Sequence, residues 1–202
     1  MGSSTAALPI LAYTPVVTKR LILRAETSAD LEAVYRMHCD PQVMRFIADG
    51  SVCAVPWEEF RGNALAMHLK QRELQYMNLS VVRAVDGEYL GWCGLTAEPL
   101  TSEVQLGYRF CQRAWGFGYA TEAASAIIAL AFNALALPRV VATVHADNTA
   151  SCRVMAKLGM HHERDVFHPR AGRQVCLYFL ERQTWEALHN PPDSRIRQIG
   201  KR

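Results

Sequence analysis

The sequence predicts one α/β domain, of the α+β kind, built on a mostly antiparallel sheet flanked by helices. Three observations predict it. Hairpin signals dominate, with Asp86-Gly87 between "YMNLSVVRAV" and "YLGWCGLTAE" and Ala171-Gly172 inside "HHERDVFHPRAGRQVCLYFLER". A single long helical segment, from Tyr119 to about Ala136, stands between two strand segments and so makes a crossover. No internal repeat or linker interrupts the 202 residues, a length that suits one large domain with a real core.

Taken in order, residues 1–16 are small, apolar and proline-punctuated, and read as a flexible N-terminal arm. "RLILRAE" alternates like a half-buried strand. "TSADLEAVYRMHCD" carries Leu31, Val34, Tyr35 and His38 at helical spacing, with Thr27 or Ser28 as N-cap. "PWEEFRGNALAMHLKQRE" is a second helix with proline near its first turn. After the first hairpin, "SEVQLGYRF" is a strand, and the Tyr119 helix follows it. "RVVATVHA" is a valine-rich strand. "NTASCRVMAKLG" is a helix capped by Asn148 and stopped by Gly159. A last strand pair and a short turn at "TWEAL" close the domain, taken as residues 17–189; residues 190–202 read as a basic disordered tail.

The net charge of +3 lies wholly in that tail, where Arg195, Arg197, Lys201 and Arg202 face Asp193 alone. The folded body is formally neutral, so the basic face expected of a nucleic-acid reader is missing. The six cysteines are scattered without a C-x-x-C or Cys/His cluster, and no metal site is expected. They read as small hydrophobes of a reduced, cytoplasmic protein. No run approaches the roughly 18 apolar residues of a membrane span.

The stretch "CQRAWGFGYATEA" places two glycines before a helix. A P-loop needs lysine and Ser or Thr after the second glycine, where Tyr119 and Ala120 stand. A dinucleotide fingerprint needs Gly or Ala where Thr121 stands. A third reading is left. Gly116 and Gly118 keep side chains away from the free N–H groups of a helix start, which suits a pyrophosphate, and Arg113 adds charge. A plain turn and cap explains the same residues.

With its surroundings, the stretch carries a resemblance. "TKRLILR", "YLGWCGL", "VQLGYRF", "RAWGFGYATEA" and "NTASCRVMAKLGM" are similar, in order, to landmarks of the GNAT N-acetyltransferase superfamily. Within it they resemble the branch typified by ribosomal-protein alanine N-acetyltransferases, the RimJ/RimL type. The resemblance implies the GNAT acyl-CoA N-acyltransferase fold with a splayed strand pair, acetyl-CoA as donor and a primary amine as acceptor. The amine would be a protein N-terminus or a small molecule attacking the thioester directly. A homodimer through an exposed strand edge is a further implication.

By the same resemblance, the pyrophosphate loop falls on Arg113, Ala114, Trp115, Gly116, Phe117, Gly118 and Tyr119, with Thr121 as a further donor. The backbone of Leu106, Tyr108 and Phe110 would meet the pantetheine arm where this strand parts from Val140–His145, and Gly107 would mark a bulge or a close approach. Asn148 would hold pantetheine, and Ser151, three residues on, would protonate the leaving thiolate. The tyrosine acid of many relatives is Met155 here, and the frequent carboxylate base is Gln105. Glu103, two residues earlier on the same strand face, is within reach of a water-relayed base role, and an ordinary exposed strand-end acid explains it as well. His145 and solvent are the other candidate bases, since an α-amine with a reference pKa near ~8 is partly neutral at cellular pH. Acceptor choice is expected from residues 27–77, with Trp57, Phe60, Met67, His68 and Tyr76, and from the turn at His168–Arg173. Without tyrosine or carboxylate at the usual places, the alternative is a non-catalytic acyl-CoA-binding module on the same fold.

Overall fold

The computed structural model describes residues 9–71, 76–98, 101–169 and 171–189, with the side chains of 67–71 excepted. Residues 1–8 and the tail 190–202 lie outside the described residues. Eight strands form one sheet in the order β1-β2-β3-β4-β5-β6-β8-β7. They are β1 (Val16–Val17), β2 (Leu21–Arg24), β3 (Asn78–Arg83), β4 (Tyr89–Glu98), β5 (Glu103–Phe110), β6 (Arg139–Val144), β7 (His161–His168) and β8 (Arg173–Glu181). The helices are α1 (Leu31–His38), α2 (Pro41–Met44), α3 (Trp57–Gln71), α4 (Tyr119–Asn133), α5 (Thr149–Lys157) and α6 (Arg182–His189).

Every strand pair is antiparallel except β5–β6, the pair joined through α4. The exception positions the site. β5 pairs with β4 along its whole length, Glu103 opposite Glu98 to Phe110 opposite Gly91. With β6 it meets at Gln105–Val141 alone. The two strands therefore part, leaving backbone groups of β5 after Gln105 without a ladder partner on that side.

One face of the sheet is covered by α4, whose Ala123, Ala124, Ile127, Ile128 and Ala131 are buried against Leu23, Leu79, Leu95 and Val140. Fully burying an isoleucine stabilises by about 1.5–3 kcal/mol. Met155 of α5 and Trp185 of α6 join the same core, Trp185 at 5.5 Å from Phe132. The other face carries a smaller cluster of Val34, Met37 and Val43 with Tyr89 and Cys111. With both faces covered, β3 is buried continuously from Leu79 to Val82, the polar Ser80 included, rather than in alternation.

Four local expectations change. Residues 9–16 are not a loose arm: Ile10–Tyr13 form a 3-10 turn, Ile10 is fully buried in the core, and Val16–Val17 pair with β2. Proline-rich sequence hid a segment anchored by one apolar side chain. Helix α1 is not capped by Thr27 or Ser28. Asp30 precedes it, and its carboxylate is drawn backwards, accepting from Arg24 at 2.6 and 2.9 Å and from the Thr27 amide at 2.8 Å. "TWEAL" extends into an eight-residue helix. Gly107 marks no bulge, because β4–β5 runs without a shift; register shifts fall in β3–β4 and β7–β8 instead. Gly107 lies against the Trp92 ring.

Candidate active site

The chain leaves β5 through a 3-10 turn at Gln112–Ala114 and reaches α4 with Gly116 at φ 83° and Gly118 at φ 79°. Both angles are left-handed, a conformation that glycine adopts at little cost. Gly118 is the N-cap of α4, and no side chain caps the helix. The amides of Tyr119, Ala120 and Thr121 have no intrahelical acceptor by geometry, so they point out of the helix start as free donors. A Cβ on Gly116 would meet no atom within 4 Å. The space above the loop is open.

Arg20 holds this loop from behind. Its Nη1 donates to the Phe117 carbonyl at 2.9 Å, its Nε to Glu122 Oε2 at 2.7 Å, and its guanidinium lies 4.7 Å from the Tyr119 ring centroid. Thr18 Oγ1 donates to Glu122 Oε1 at 2.6 Å and the Arg20 amide to the same oxygen at 2.8 Å. Burial alone would raise the Glu122 carboxyl, but the hydrogen bonds from Thr18 and Arg20 win and hold it below its ordinary value. Trp115 anchors the other side, its Nε1 donating to the Phe110 carbonyl at 2.9 Å while the ring stays half exposed.

A cleft of about 490 Å³ opens from this helix start between β5 and α5. Tyr108, Phe110, Ala114, Trp115, Gly116, Gly118, Tyr119, Thr121, Asn148 and Ser151 all line it. Asn148 caps α5, its Oδ1 accepting from the Ser151 amide at 3.1 Å. The cap and a cleft-facing position coexist, because the carbonyl side does the capping and the NH2 group remains. Tyr108 Oη is buried, with no hydrogen bond made to it among the described residues. Burial pushes its pKa up, while the neighbouring Ser151 hydroxyl works the other way; burial wins, and the phenol stays protonated. Met155, where a tyrosine acid would stand, is fully buried core.

Other expected residues fall outside. Leu106 packs into the core and Phe117 is exposed, stacked on Tyr119 at 5.8 Å. Neither lines the cleft. Arg113 is a correction: its Nε donates to Glu88 at 2.6 Å and its Nη2 to the Tyr89 carbonyl at 2.8 Å. The guanidinium turns into a separate hollow of about 550 Å³ beside α1, away from the pyrophosphate loop. Glu103 is a second correction. It pairs with Arg139 at 3.1 Å, Arg139 also holds Glu163 and Glu181, and Glu103 is not among the residues lining the cleft. Gln105 Nε2 donates to Thr143 Oγ1 at 2.7 Å and tethers the strands just where they part. His145 Nδ1 accepts from the Asp147 amide at 3.1 Å, which occupies the lone pair a base would need. The acceptor side also differs: Trp57 and Phe60 pack with Tyr35, and the wall comes from Gln42–Ile47 instead. The side chains of Met67 and His68 lie outside the described residues. The turn after β7 does reach this wall, through Arg173 donating to the Ala48 carbonyl at 2.8 Å.

The cleft also contains Arg45, Arg109, Arg153 and Lys157, which were not anticipated. Arg153 and Lys157 follow Ala150 and Val154 at helical spacing, a stripe the sequence carries openly. Against the expectation of no Cys/His cluster, His162, Asp165 and Cys176 come within 4.8 Å of one another on β7–β8. The register shift after His162 turns residues three apart to one face. They stand at the surface, His162 pairing with Asp165 at 2.9 Å.

A parted strand pair that ends at uncapped helix amides defines a class, the acyltransferases that take a diphosphate-bearing thioester. The chain belongs to the GNAT acetyltransferase family, since residues 20–161 match its acetyltransferase (GNAT) domain. Over 161 residues it is 30% identical to the uncharacterised protein YkkB of Bacillus subtilis, covering 77% of this chain and 90% of that one. Over 205 residues it is 26% identical to the FsC-acetyl coenzyme A-N(2)-transacetylase of Aspergillus fumigatus, covering 94% and 86%. The solved GNAT acetyltransferase of Bacillus anthracis superposes with a TM-score of 0.69 at 25% identity, over 83% of this chain and 98% of that one. The protein is an N-acetyltransferase and acetyl-CoA is its donor. The residues fit that donor: free amides and two left-handed glycines for the pyrophosphate, Arg153 and Lys157 for further phosphate charge, and a buried Tyr108 hydroxyl with no hydrogen bond made to it among the described residues. Among the described residues no helix is long and apolar enough to cross a membrane.

Proposed function

We propose that this chain is an amine N-acetyltransferase of the RimJ/RimL type, acting on a primary amine of a protein N-terminus or a small molecule. One observation carries the reading: the uncapped start of α4 opens onto a cleft lined by α5 and by Tyr108–Phe110 of β5, the stretch beyond its last pairing with β6. Acetyl-CoA supplies an activated acetyl thioester, open to direct attack by the amine. The amides of Gly116 through Thr121 bind the pyrophosphate, and the Thr121 hydroxyl adds a donor. Asn148 offers its NH2 group to the pantetheine arm, beside the free backbone of β5. Ser151 relays a proton to the leaving thiolate and regains one from solvent in the same step, and the protonated Tyr108 phenol backs it from the strand.

No side-chain base is assigned. Glu103 and His145 are engaged elsewhere, and Gln105 cannot accept a proton from an amine. Among the described residues, the four cations of the cleft face no carboxylate in its lining. That field disfavours a bound ammonium, so the amine enters neutral and solvent takes its second proton. The same field argues against polyamine acceptors.

An acetyl-CoA consumption screen across amine classes tests the reading, run beside Ser151→Ala and Gly118→Asp. Gly118→Asp puts a charged side chain at a left-handed position against the pyrophosphate, and acetyl-CoA binding should be lost. Ser151→Ala should lower turnover about 10²-fold or more with binding intact. Near-normal turnover in Ser151→Ala removes the assigned acid. Absence of turnover on every amine, with binding retained, removes the catalytic reading.

A further inference from the structure

We propose that the acceptor of this enzyme is a primary amine that also carries a carboxylate, and that Arg109 is the residue that holds it. The proposal rests on the amine N-acetyltransferase reading and narrows its substrate class.

Arg109 lies on β5, where side chains alternate across the sheet. Its neighbours Tyr108 and Phe110 pack toward the α4 core, so alternation puts Arg109 on the opposite face of the strand. Its guanidinium lies 5.4 Å from the Trp92 ring centroid, and the residue lines the cleft. Among the described residues no carboxylate pairs with it, and its Nε is buried without a hydrogen-bond partner. Arg24 holds Asp30, Arg113 holds Glu88 and Arg139 holds three glutamates, while Arg182, also without a carboxylate among the described residues, spends its Nε on the Leu137 carbonyl at 2.9 Å. A buried charge without a counter-ion is a standing cost that a folded chain does not keep idle.

The surroundings fit an anion. Burial pulls the Arg109 pKa down to about 10, which leaves it protonated at neutral pH. His38 beside it is pulled down to about 4, by burial first and then by the guanidinium, and so stays neutral. The Tyr89 hydroxyl is a second buried group with no hydrogen-bond partner among the described residues, kept protonated by burial first and then by the Glu26 carboxylate. Arg45, the other cation on the acceptor wall, stacks over Phe46 at 4.9 Å. A planar, desolvated guanidinium with unspent donors matches a carboxylate in two-point geometry. It repels an acceptor whose only charges are positive.

Matched acceptor pairs test the proposal. One pair is β-alanine against its carboxamide; the second is a tripeptide beginning with Asp against the same peptide beginning with Asn. The two arms separate a free amino acid from an acidic N-terminal residue as the source of the carboxylate. The wild-type protein should favour the carboxylate member of one pair by about 10-fold or more in kcat/KM. Arg109→Met should bring that ratio near one by raising the acceptor KM, with the KM for acetyl-CoA unchanged, and Arg109→Lys should keep part of it. Thermal melts check that both variants fold. A second readout needs no turnover: calorimetry of the N-acetylated carboxylate and carboxamide products on CoA-saturated protein. Equal binding and equal turnover of both members by the wild type overturn the proposal, as does a preference that survives in Arg109→Met. Product discrimination without any acetylation would uphold the carboxylate site and discard the N-acetyltransferase reading; acetylation indifferent to the carboxylate would do the reverse.

Discussion

His38 shows how a single residue ties the acceptor side to stability. It ends α1, its ring 5.9 Å from Phe60, with the Arg109 guanidinium nearby. Burial and that positive charge pull its pKa from 6.5 to about 4. In the unfolded chain the ring titrates near its ordinary value, so between roughly pH 6.5 and 4 the unfolded state binds the extra proton. Stability therefore falls as pH drops through that window, by about 3 kcal/mol in all, because each tenfold difference in proton affinity is worth about 1.4 kcal/mol. The contribution is intact above pH 7 and fully lost below about pH 4. Thermal melts from pH 7.5 to 4.5 should show a decline that His38→Gln flattens; parallel curves for the two proteins would count against the buried neutral ring. Residues of this kind were invisible in the sequence. The apolar spacing of α1 was plain, but the lowered pKa owes part of its origin to Arg109, far along the chain and brought close by the sheet.

At the scale of elements, the head of α4 depends on a clamp from the turn between β1 and β2. Arg20 and Thr18 converge on Glu122, and Arg20 also holds the Phe117 carbonyl. Both ends are partly solvent-exposed, Arg20 at 41% and Glu122 at 16%, so screening limits the ion pair to about 1 kcal/mol or less of stability. Its work is positional. Arg20→Met should raise the KM for acetyl-CoA about 10-fold, with little change in kcat and a melting shift of only a few degrees. A large stability loss with unchanged KM would place the clamp in the fold rather than in the loop. The glycines, the Asn148 cap and Ser151 were legible because each lies within one short segment. The clamp was not, since Arg20 and Glu122 are 102 residues apart. Glu103 was misread for the same reason: the strand face was right, but nothing local announced Arg139 as its partner. The parted strands were inferred only through family resemblance. Alternation alone cannot say which of two neighbouring strands stops pairing.

For the whole molecule, the element order was readable because hairpin turns and helix caps are local chemistry. The missed pieces are those whose reason lies across the core. Ile10 is the clearest case. Short apolar residues between prolines carry no period, so residues 9–16 read as an arm, and yet Ile10 is fully buried beside the β2 and α4 core residues. The folded body therefore begins before the boundary composition suggests. Truncating a buried isoleucine to alanine costs about 2–5 kcal/mol, through lost transfer energy and the cavity left behind. In a domain of this size that is a fall of about 4–20 °C in melting temperature. Ile10→Ala should show it, and a chain beginning at residue 17 should fall at least as far because it also loses the β1 pairing at Val16. The active cleft lies on other elements, so well below the melting transition the KM values of Ile10→Ala should match the wild type. A chain started at residue 17 with an unchanged melting temperature would return the segment to the status of a loose arm, and would show that Ile10 fills space the core does not need.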